Sequence, residues 1–359
     1  MPDKRRLLIV SHEMTLSGAP IQLAHLVNWL KREGWQATVV APEHGPLADM
    51  LLDVEIVYES QLLIDPAYGA LRRLIPQFDC VLANTIATWE AVQACQFERV
   101  PVVWYIHETQ VGVQLMQIIH MIEPSLGVAD AIVTPTQTTA RVYAPFRAKP
   151  IDVIAYGIPP LAANGNASAA TVRFAVVATY EARKGQDLLV DAVEKLSAEM
   201  RARTAFQLVG RALEETFTER LRERSRALGD VELLGSLGHE EALDVMRAAD
   251  VIVCPSRDET MPIVLLEAMS MGKATISFDV GGSHEWIEDG VNGLLVPAQD
   301  TSALATAIER LTIDAELRDA LGAAGWATFE QHFTIDRCGE QFADVIARTI
   351  ENYGPATHS

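Results

Sequence analysis

Two glutamates, Glu259 and Glu267, stand eight residues apart in the stretch of this chain whose side chains are best suited to chemistry. An apolar run over residues 251–254 precedes them and is typical of a buried strand, with a polar loop directly after it. Thr260 can cap a helix and Pro262 suits a first helical turn, so a helix is predicted to follow. Glu259 is then expected in the loop at the start of this helix, and Glu267 about one and a half turns inside it.

A helix start of this kind could bind a phosphorylated ligand that also carries hydroxyl groups. The free backbone amides and the partial positive charge of a helix N-terminus attract phosphate. Carboxylates beside it repel phosphate but accept hydrogen bonds from the hydroxyls of a sugar. A sugar joined through a diphosphate to a nucleoside would therefore use every part. Taken singly, Glu259 also fits a solvated loop charge, and Glu267 a residue on a helix surface.

The whole stretch resembles the signature of the retaining GT-B glycosyltransferases of family GT4. That family has Pro-Ser, then Glu, then an apolar residue and Gly, then Leu-Glu-Ala-Met, and later Gly-Gly-x-x-Glu. The residues of this chain that match are Pro255, Ser256, Glu259, Leu266, Glu267, Ala268, Met269, Gly281, Gly282 and Glu285. The resemblance implies that Glu259 faces the donor sugar and Glu267 the ribose. Pro262 stands where the family commonly has Gly, and it has no N–H to offer the donor.

The resemblance also implies further donor-binding residues near this helix. Met261, Ile263 and Val264, at the helix start, are expected to line the donor site. Residues 234–237, Leu-Gly-Ser-Leu, resemble the family segment whose backbone lines the nucleotide base, which adds Leu237. Because recognition by backbone groups leaves little trace in the side chains, this segment does not identify the base.

A second loop, over residues 178–185, carries the cations that the resemblance assigns to the diphosphate. The family has Gly-Arg near the end of a strand and Lys-Gly before the next helix. Lys184 is retained here, but Thr179 stands at the usual Arg position, so one cation is missing from its usual place. We therefore expect Lys184 to bind the diphosphate and Arg183, beside it, to supply the second charge. On the residues alone, both cations could simply be solvated.

Two residues of the first half of the chain follow predicted strands and are candidates for the same ligand. Gly18, in the turn after the first strand, lets the backbone approach a ligand closely, although an ordinary strand–helix turn would look the same. In the family, a Gly-rich turn here faces the donor diphosphate across a cleft. His107 follows the strand over residues 102–106, where the family has a histidine near the donor sugar and acceptor. A lone histidine after a strand is more often structural, and Asn84 and Thr85 could reach the same strand edge.

Short apolar runs alternate with amphipathic helical stretches along the chain, which predicts parallel sheets flanked by helices. The predicted strands are Leu7–Val10, Ala37–Ala41, Val54–Tyr58, Asp79–Ala83, Val102–Ile106, Ala131–Thr134, Asp152–Ala155, Arg173–Ala178, Ala205–Val209, Val231–Leu234, Val251–Cys254, Ala274–Phe278 and Leu294–Val296. An aperiodic run over residues 158–170 is predicted to be a linker. The fold class is α/β, and the resemblance makes it GT-B, with two Rossmann-like doubly wound parallel-sheet domains facing a cleft. The predicted domains are residues 1–160 and 171–335, with a C-terminal helix over 336–353 that crosses back onto the first.

Composition and charge argue against several classes of protein. At 359 residues the chain suits two domains, and its net charge of −19 argues against nucleic-acid binding, which needs Lys and Arg clusters. The four cysteines lie far apart without CxxC or Cys/His spacing, which predicts buried thiols in a reducing compartment. The apolar run over residues 7–10 is too short for a signal peptide, and no window approaches the ~20 apolar residues of a membrane span. We expect a soluble, cytoplasmic protein.

Residues 111–122 form an apolar stretch at helical spacing that has two interpretations. It fits a helix packed at a domain interface, and also an acceptor-binding or membrane-touching helix, since many relatives use lipid-linked acceptors. The stretch lacks the Lys/Arg face that an anionic membrane surface would attract, which favours the packed helix. Peripheral contact with the inner face of a membrane stays open.

We interpret the sequence as a glycosyltransferase that moves a hexose-like sugar from a nucleoside diphosphate to an acceptor hydroxyl with retention of configuration. A UDP- or GDP-sugar is the expected donor, the acceptor is a saccharide, a lipid-linked or a small molecule, no cofactor is expected, and the oligomeric state is open. The catalytic candidates are His107, Glu259 and Lys184. Because no Asp-x-Asp occurs in the sequence, a metal clamp on the diphosphate is not expected.

Other classes of function remain open at this stage. A sugar phosphorylase or a nucleotide-sugar epimerase could use the same fold. A non-catalytic nucleotide-sugar-binding protein would bind the donor and never turn it over. A periplasmic-type binding protein also has two α/β lobes, but a signal peptide would be expected. The absence of GxGxxG after the first strand weakens a dinucleotide-dependent dehydrogenase.

Overall fold

The structure, a computed structural model, describes residues 5–162 and 171–353. It divides into two compact units, the first formed by Met1–Pro159 and Phe333–Ser359 and the second by Pro160–His332. Compared with the predicted bounds of 1–160 and 171–335, residue 160 lies in the second unit and residues 333–335 in the first. The predicted linker over 158–170 lies partly outside the described residues, which exclude 163–170.

The first unit is built on one parallel sheet of seven strands, in the order β3-β2-β1-β4-β5-β6-β7. The strands are β1 (Arg6–Ser11), β2 (Gln36–Ala41), β3 (Glu55–Tyr58), β4 (Cys80–Asn84), β5 (Val102–Tyr105), β6 (Ala131–Thr134) and β7 (Asp152–Val153). The helices between them are α1 (Gly18–Arg32), α2 (Gly69–Leu74), α3 (Trp89–Glu98), α4 (Gln110–Ile118), α5 (Ile122–Val128) and α6 (Gln137–Tyr143). Residues 7–10 of β1 are fully buried, as expected for a parallel strand covered on both faces.

The second unit repeats this plan with six parallel strands, in the order β10-β9-β8-β11-β12-β13. The strands are β8 (Val172–Val177), β9 (Thr204–Val209), β10 (Val231–Gly235), β11 (Val251–Cys254), β12 (Ala274–Phe278) and β13 (Leu294–Val296). The helices are α7 (Gln186–Glu194), α8 (Ala198–Arg201), α9 (Glu215–Leu228), α10 (His239–Ala248), α11 (Ile263–Ser270), α12 (Thr301–Ile313) and α13 (Ala315–His332). Apolar side chains of α7 and α12 form one core with the strands.

The last helix, α14 (Ile335–Tyr353), belongs to the first unit and packs against α1. Its buried residues recur at helical spacing, so one face is apolar. A Cβ on Gly339 would lie 2.1 Å from the indole ring of Trp29, which explains a glycine at this helix contact. The Trp29 indole N–H also donates to Asp336 Oδ1 at 2.9 Å. The C-terminal segment is thereby joined to the start of the chain.

Each sheet reverses its strand order at one place, between β1 and β4 in the first unit and between β8 and β11 in the second. Ligands of doubly wound sheets bind beyond the carboxyl ends of the strands at this switch point. The loop over residues 178–185 follows β8, and the loop over residues 255–262 follows β11. The topology therefore brings together the two loops in which the sequence predicts the donor-binding side chains.

All the predicted strands are present, and their ends differ from the predictions by at most two residues. The start of α11 was predicted less well. Pro262 (φ −72°, ψ 116°) is its N-cap, and no side chain caps it, so the predicted cap by Thr260 is wrong. Two constraints explain this: the residue before a proline disfavours the helical conformation, and the Thr260 carbonyl accepts from the Gly282 amide at 3.2 Å.

The apolar stretch over 111–122 forms two helices rather than one. α4 ends at Ile118, Ile119 is extended (φ −109°, ψ 90°), and α5 begins at Ile122. The adjacent β-branched residues Ile118 and Ile119 are weak helix formers, which suits a break here. In α4, Leu115 and Met116 pack partly buried against the core of the first unit, whereas Ile118 is 74% exposed. Packing of this helix at a domain interface stays a prediction.

Candidate functional site

At the switch point of the second unit, Lys184 and Glu259 form an ion pair. Lys184 Nζ donates to Glu259 Oε1 at 2.6 Å, and the Ser256 hydroxyl donates to the same oxygen at 2.8 Å. The two charged side chains are only 18% and 9% exposed. Burial alone would raise the pKa of Glu259, but the charges of Lys184 and Arg183 and these hydrogen bonds hold it below its ordinary value. Glu259 is therefore an ionised hydrogen-bond acceptor at neutral pH.

Thr179 and Arg183, the residues expected to bear on the diphosphate, both contact Glu181. The Thr179 hydroxyl donates to Glu181 Oε1 at 2.7 Å, and Arg183 Nη2 donates to the same oxygen at 3.0 Å. Arg183 Nη1 also donates to the Asp258 carbonyl at 3.4 Å. The Arg183 guanidinium is thus at the same loop contact as Lys184, although Glu181 already neutralises part of its charge.

Glu267 lies inside α11 as a buried carboxylate without a partner. Only 7% of the residue is exposed, and no donor among residues 5–162 and 171–353 bonds its carboxylate. Burial raises its pKa to about 7. Buried polar groups in folded proteins are nearly always hydrogen-bonded, so a carboxylate left in this state is suited to accept hydrogen bonds from a ligand.

The start of α11 supplies the backbone part of the site. Because Pro262 has no N–H, the first amides available to a ligand are those of Ile263 and Val264, which donate to no acceptor within the described residues. Met261 and Ile263 are buried, whereas Val264 is partly exposed. Leu237, predicted near the base, is partly exposed in the turn after β10.

Gly18, predicted to approach a diphosphate, is the exposed first residue of α1 in the first unit. Ser17 is the N-cap, but its hydroxyl donates to Glu13 Oε1 at 2.7 Å instead of capping the helix. The same carboxylate oxygen lies 3.6 Å from His12 Nε2. An anion approaching Gly18 would therefore meet the Glu13 carboxylate as well as the helix amides.

His107, predicted to be catalytic, is enclosed by protein partners in the first unit. Its Nδ1 lies 2.7 Å from the Tyr156 hydroxyl, and its Nε2 lies 2.7 Å from Asn84 Oδ1. Burial, with a smaller effect of His12, lowers its pKa to about 3, so the imidazole is neutral. Both ring nitrogens are satisfied without a ligand, and proton transfer by His107 would require one of these partners to be exchanged.

Two family models match the chain, one in each unit. The model described as Glycosyltransferase Family 4 matches residues 16–160, and the model described as Glycosyl transferases group 1 matches residues 171–314. The chain belongs to the group 1, family 4 glycosyltransferases. Together the two matches include every candidate site residue of the chain.

Curated relatives match the chain over parts of their length. Alpha-D-kanosaminyltransferase of Streptomyces kanamyceticus is 31% identical over 170 residues, which are 47% of this chain and 44% of that protein. The D-inositol 3-phosphate glycosyltransferase of Stackebrandtia nassauensis is 32% identical over 251 residues, 63% of this chain and 56% of that protein. The chain thus spans about half the length of the curated relatives it matches.

Solved structures resemble the chain over nearly its whole length. Anabaena Alr3699/HepE in complex with UDP-glucose has a TM-score of 0.82 at 20% identity, covering 96% of this chain and 99% of that one. Sucrose-phosphate synthase from Thermosynechococcus elongatus has a TM-score of 0.80 at 19% identity, covering 97% and 100%. These likenesses support the fold, a GT-B pair of Rossmann-like parallel-sheet domains, as predicted.

In each unit, polar residues beside the predicted site residues were not singled out from the sequence. The sequence only weakly indicates a role for Glu181, as a single carboxylate close to Arg183 and Lys184 in the chain. Glu108 directly follows His107; its Oε2 accepts from the Ile86 and His107 amides, and burial raises its pKa to about 7. Arg257 has no local signal, because its side-chain partner is Asp187. Contacts between residues this far apart in the chain need the folded structure.

Three further features of the chain concern metal ligands, membrane-spanning helices and thiols. Within the described ranges, no group of three or more His, Cys, Asp or Glu side chains is placed to hold a metal ion. The same residues contain no helix long and apolar enough to cross a bilayer. Cys80, Cys95, Cys254 and Cys338 are buried free thiols, as predicted.

Substituting Gly281 with alanine should destabilise the second unit and displace Glu259. Gly281 has φ +55°, and a Cβ would lie 1.6 Å from the Glu259 carbonyl oxygen. We expect Gly281→Ala to lower the free energy of unfolding by ~3 kcal/mol or more. Gly290 is the matched control, with φ +75° and nothing within 4 Å of its Cβ position, so Gly290→Ala should cost only the ~1–2 kcal/mol of left-handed backbone. Equal losses in urea unfolding would show that the contact with Glu259 is unimportant.

Proposed function

We propose that this chain transfers a sugar from a nucleoside diphosphate sugar to an acceptor hydroxyl, with retention of configuration and without a metal ion. The single observation that carries the proposal lies at the switch point of the second unit. There the loop with the Lys184–Glu259 ion pair leads into α11, where, among the residues that the structure describes, no donor bonds the buried Glu267 carboxylate and no side chain caps the helix start. A cation and backbone amides can bind the diphosphate of such a donor, and carboxylates can accept hydrogen bonds from its hydroxyl groups.

Lys184 is the proposed electrophilic residue of the transfer. When the glycosidic bond to the diphosphate breaks, negative charge develops on the departing phosphate, and a fixed cation stabilises it most in a site with little water. The amides of Ile263 and Val264 and the positive end of α11 would add to this stabilisation. We assign Arg183 the second positive charge, in place of the cation missing at Thr179.

We propose that Glu259 and Glu267 accept hydrogen bonds from hydroxyl groups of the donor, Glu259 from the sugar and Glu267 from the ribose. Glu259 is held ionised by Lys184, so donor binding would exchange the ion pair for contacts of Lys184 with phosphate and of Glu259 with sugar hydroxyls. Glu267 lies deeper, in α11, where a ribose diol could supply the donors that its carboxylate lacks. In this division Glu267 governs nucleotide affinity and Glu259 governs turnover of the sugar.

The donor is proposed to be a UDP- or GDP-sugar. The Anabaena Alr3699/HepE structure contains UDP-glucose. A Corynebacterium glutamicum relative, 30% identical over 171 residues, is named a GDP-mannose-dependent mannosyltransferase. The relatives are named for different acceptors as well as different donors, so a saccharide, a lipid-linked molecule and a small molecule all stay open as acceptors. Peripheral membrane contact and a cytoplasmic location are likewise proposals.

Metal independence and retention are tested together by following donor breakdown. The sequence has no Asp-x-Asp, which supports a mechanism that relies on Lys184. With UDP-glucose as donor and water or an added sugar as acceptor, turnover should be unchanged by EDTA. Proton NMR should show the α-anomer as the first product. Loss of activity in EDTA would contradict metal independence, a β-product would contradict retention, and a sugar phosphate or epimer from donor alone would indicate another enzyme class.

A further inference from the structure

Arg257 links the two loops that carry the proposed catalytic groups. Its backbone N–H donates to the Arg183 carbonyl at 2.8 Å, and its Nη1 donates to the Ala182 carbonyl at 2.5 Å. Arg257 precedes Glu259 by two residues, as Ala182 precedes Lys184. Both bonds therefore join the loop after β11 to the loop after β8, close to the Lys184–Glu259 ion pair.

Asp187 fixes the direction of the Arg257 side chain. Arg257 Nη1 donates to Asp187 Oδ1 at 2.8 Å and Nη2 donates to Oδ2 at 2.7 Å, so the contact is bidentate. A guanidinium held by two parallel bonds has a defined plane as well as a defined position. Asp187 lies in the first turn of α7, the helix that follows the Lys184 loop. We call Arg257, Asp187 and the Ala182 carbonyl the loop brace.

The backbones of the two loops also approach closely beside the loop brace. Gly185 has φ +67°, and a Cβ there would lie 1.9 Å from the Pro255 carbonyl oxygen. The loops thus meet without a side chain between them. When a donor separates the Lys184–Glu259 ion pair, the brace does not need to change, because none of its atoms belongs to that pair.

We propose that Arg257 is a positioning residue for glycosyl transfer: through the loop brace it holds Lys184 and Glu259 at the separation that the donor requires. This inference rests on the proposed function. Misplacement of reacting groups by about 1 Å can cost ~10²-fold in rate, so a residue that touches no substrate can still control kcat.

A fold-stabilising ion pair is the plain alternative, and the chain contains a matched pair that separates the two. Arg201 donates to Asp230 at 2.7 and 3.1 Å and to the Leu228 carbonyl at 2.6 Å, which reproduces the bidentate contact and the carbonyl bond. The side chains of Arg257 and Arg201 are 29% and 30% exposed. Arg201 ends α8, before β9 begins, and so lies away from the carboxyl ends of the strands.

The test compares Arg257→Ala, Arg257→Lys and Arg201→Ala in the full chain. The readout is release of the nucleoside diphosphate from UDP-glucose, or from whichever nucleotide sugar stabilises the protein most. Arg257→Ala should lower kcat by ~10- to 100-fold while donor KM changes less than ~3-fold. Arg257→Lys, which keeps one charged bond, should recover part of the rate. Arg201→Ala should keep the wild-type kcat.

Three results would overturn the inference. Equal kcat in Arg257→Ala and Arg201→Ala would reduce Arg257 to a structural ion pair. A rate loss in Arg257→Ala that follows the fraction unfolded, as measured by circular dichroism at the assay temperature, would do the same. If wild type neither binds nor turns over any nucleotide sugar, the proposed function fails and the brace has no reaction to position; activity in wild type and Arg201→Ala separates that failure from a failure of the brace alone.

Discussion

Replacing Lys184 with alanine should lower kcat/KM for the nucleotide sugar by ~10²-fold or more, the scale of removing one preorganised group that stabilises transition-state charge. Lys184 Nζ is fixed at 2.6 Å from Glu259 and its side chain is 18% exposed, so its charge acts where water screens little. The substitution also leaves the Glu259 carboxylate buried without its cation. Steady-state kinetics of donor turnover, with folding checked by thermal unfolding, measures the effect.

Two control variants decide how the positive charge is shared. Lys195 is an exposed lysine of the same unit whose Nζ donates to the Thr301 and Ser302 hydroxyls. Because it lies outside the Lys184 loop, Lys195→Ala should leave the rate unchanged. Arg183→Ala should cost about a tenth of the rate loss of Lys184→Ala, because Glu181 already holds part of its guanidinium. Full activity of Arg183→Ala beside an inactive Lys184→Ala would leave one working cation in the loop and refute the substitute role of Arg183.

Glu267→Gln should weaken nucleotide binding while stabilising the free protein. A carboxylate that accepts hydrogen bonds from a ribose is worth ~1–3 kcal/mol of affinity, the range for bonds to a charged group. The same carboxylate costs stability when no ligand is bound, because burial raises its pKa to about 7. Calorimetric titration with UDP or GDP measures the first effect and urea unfolding the second.

The stability effect of Glu267→Gln has a defined sign and pH window. Between pH 4.5 and 7 the unfolded chain has released this proton and the folded protein retains it, so the contribution of Glu267 to stability falls as pH rises through this range. Glutamine removes that cost. The variant should therefore exceed wild type by ~1–3 kcal/mol at pH 8 and match it near pH 4. The control is Glu288→Gln, at an exposed glutamate of the same unit, which should leave both measurements unchanged. If Glu267→Gln changes neither the nucleotide affinity nor the pH dependence of stability, the role assigned to Glu267 is refuted.

The sheets were readable from the sequence because parallel strands buried on both faces leave continuous apolar runs. Residues 251–254 and 274–278 have the predicted bounds, and both are fully buried strands. The order of the strands at the switch point then places the Lys184 and Glu259 loops together. The topology thus brings together two motifs that are far apart in the sequence.

The parts of the site that the sequence did not reveal depend on contacts between distant residues or on local competition. The two partners of His107, Tyr156 and Asn84, come from other strand ends, so its neutral, enclosed state has no local signal. Pro262 could lie in the first helical turn or be the N-cap, and one of the two constraints that favour the cap, the hydrogen bond from the Gly282 amide to the Thr260 carbonyl, is not visible in the sequence. The exposure of Val111 and Ile118 in α4 likewise depends on which surfaces the fold covers, and the sequence alone does not show this.

The central claim, that the second unit binds a nucleoside diphosphate at its switch point, is tested most directly by unfolding the protein in the presence of UDP, GDP, dTDP and ADP. At 100 times its dissociation constant, the correct nucleotide should add ~2.7 kcal/mol to the free energy of unfolding. We expect one of these nucleotides to stabilise the wild type in this way, and to stabilise Glu267→Gln less at the same concentration. No stabilisation by any of the four, or an equal gain in Glu267→Gln, would contradict it.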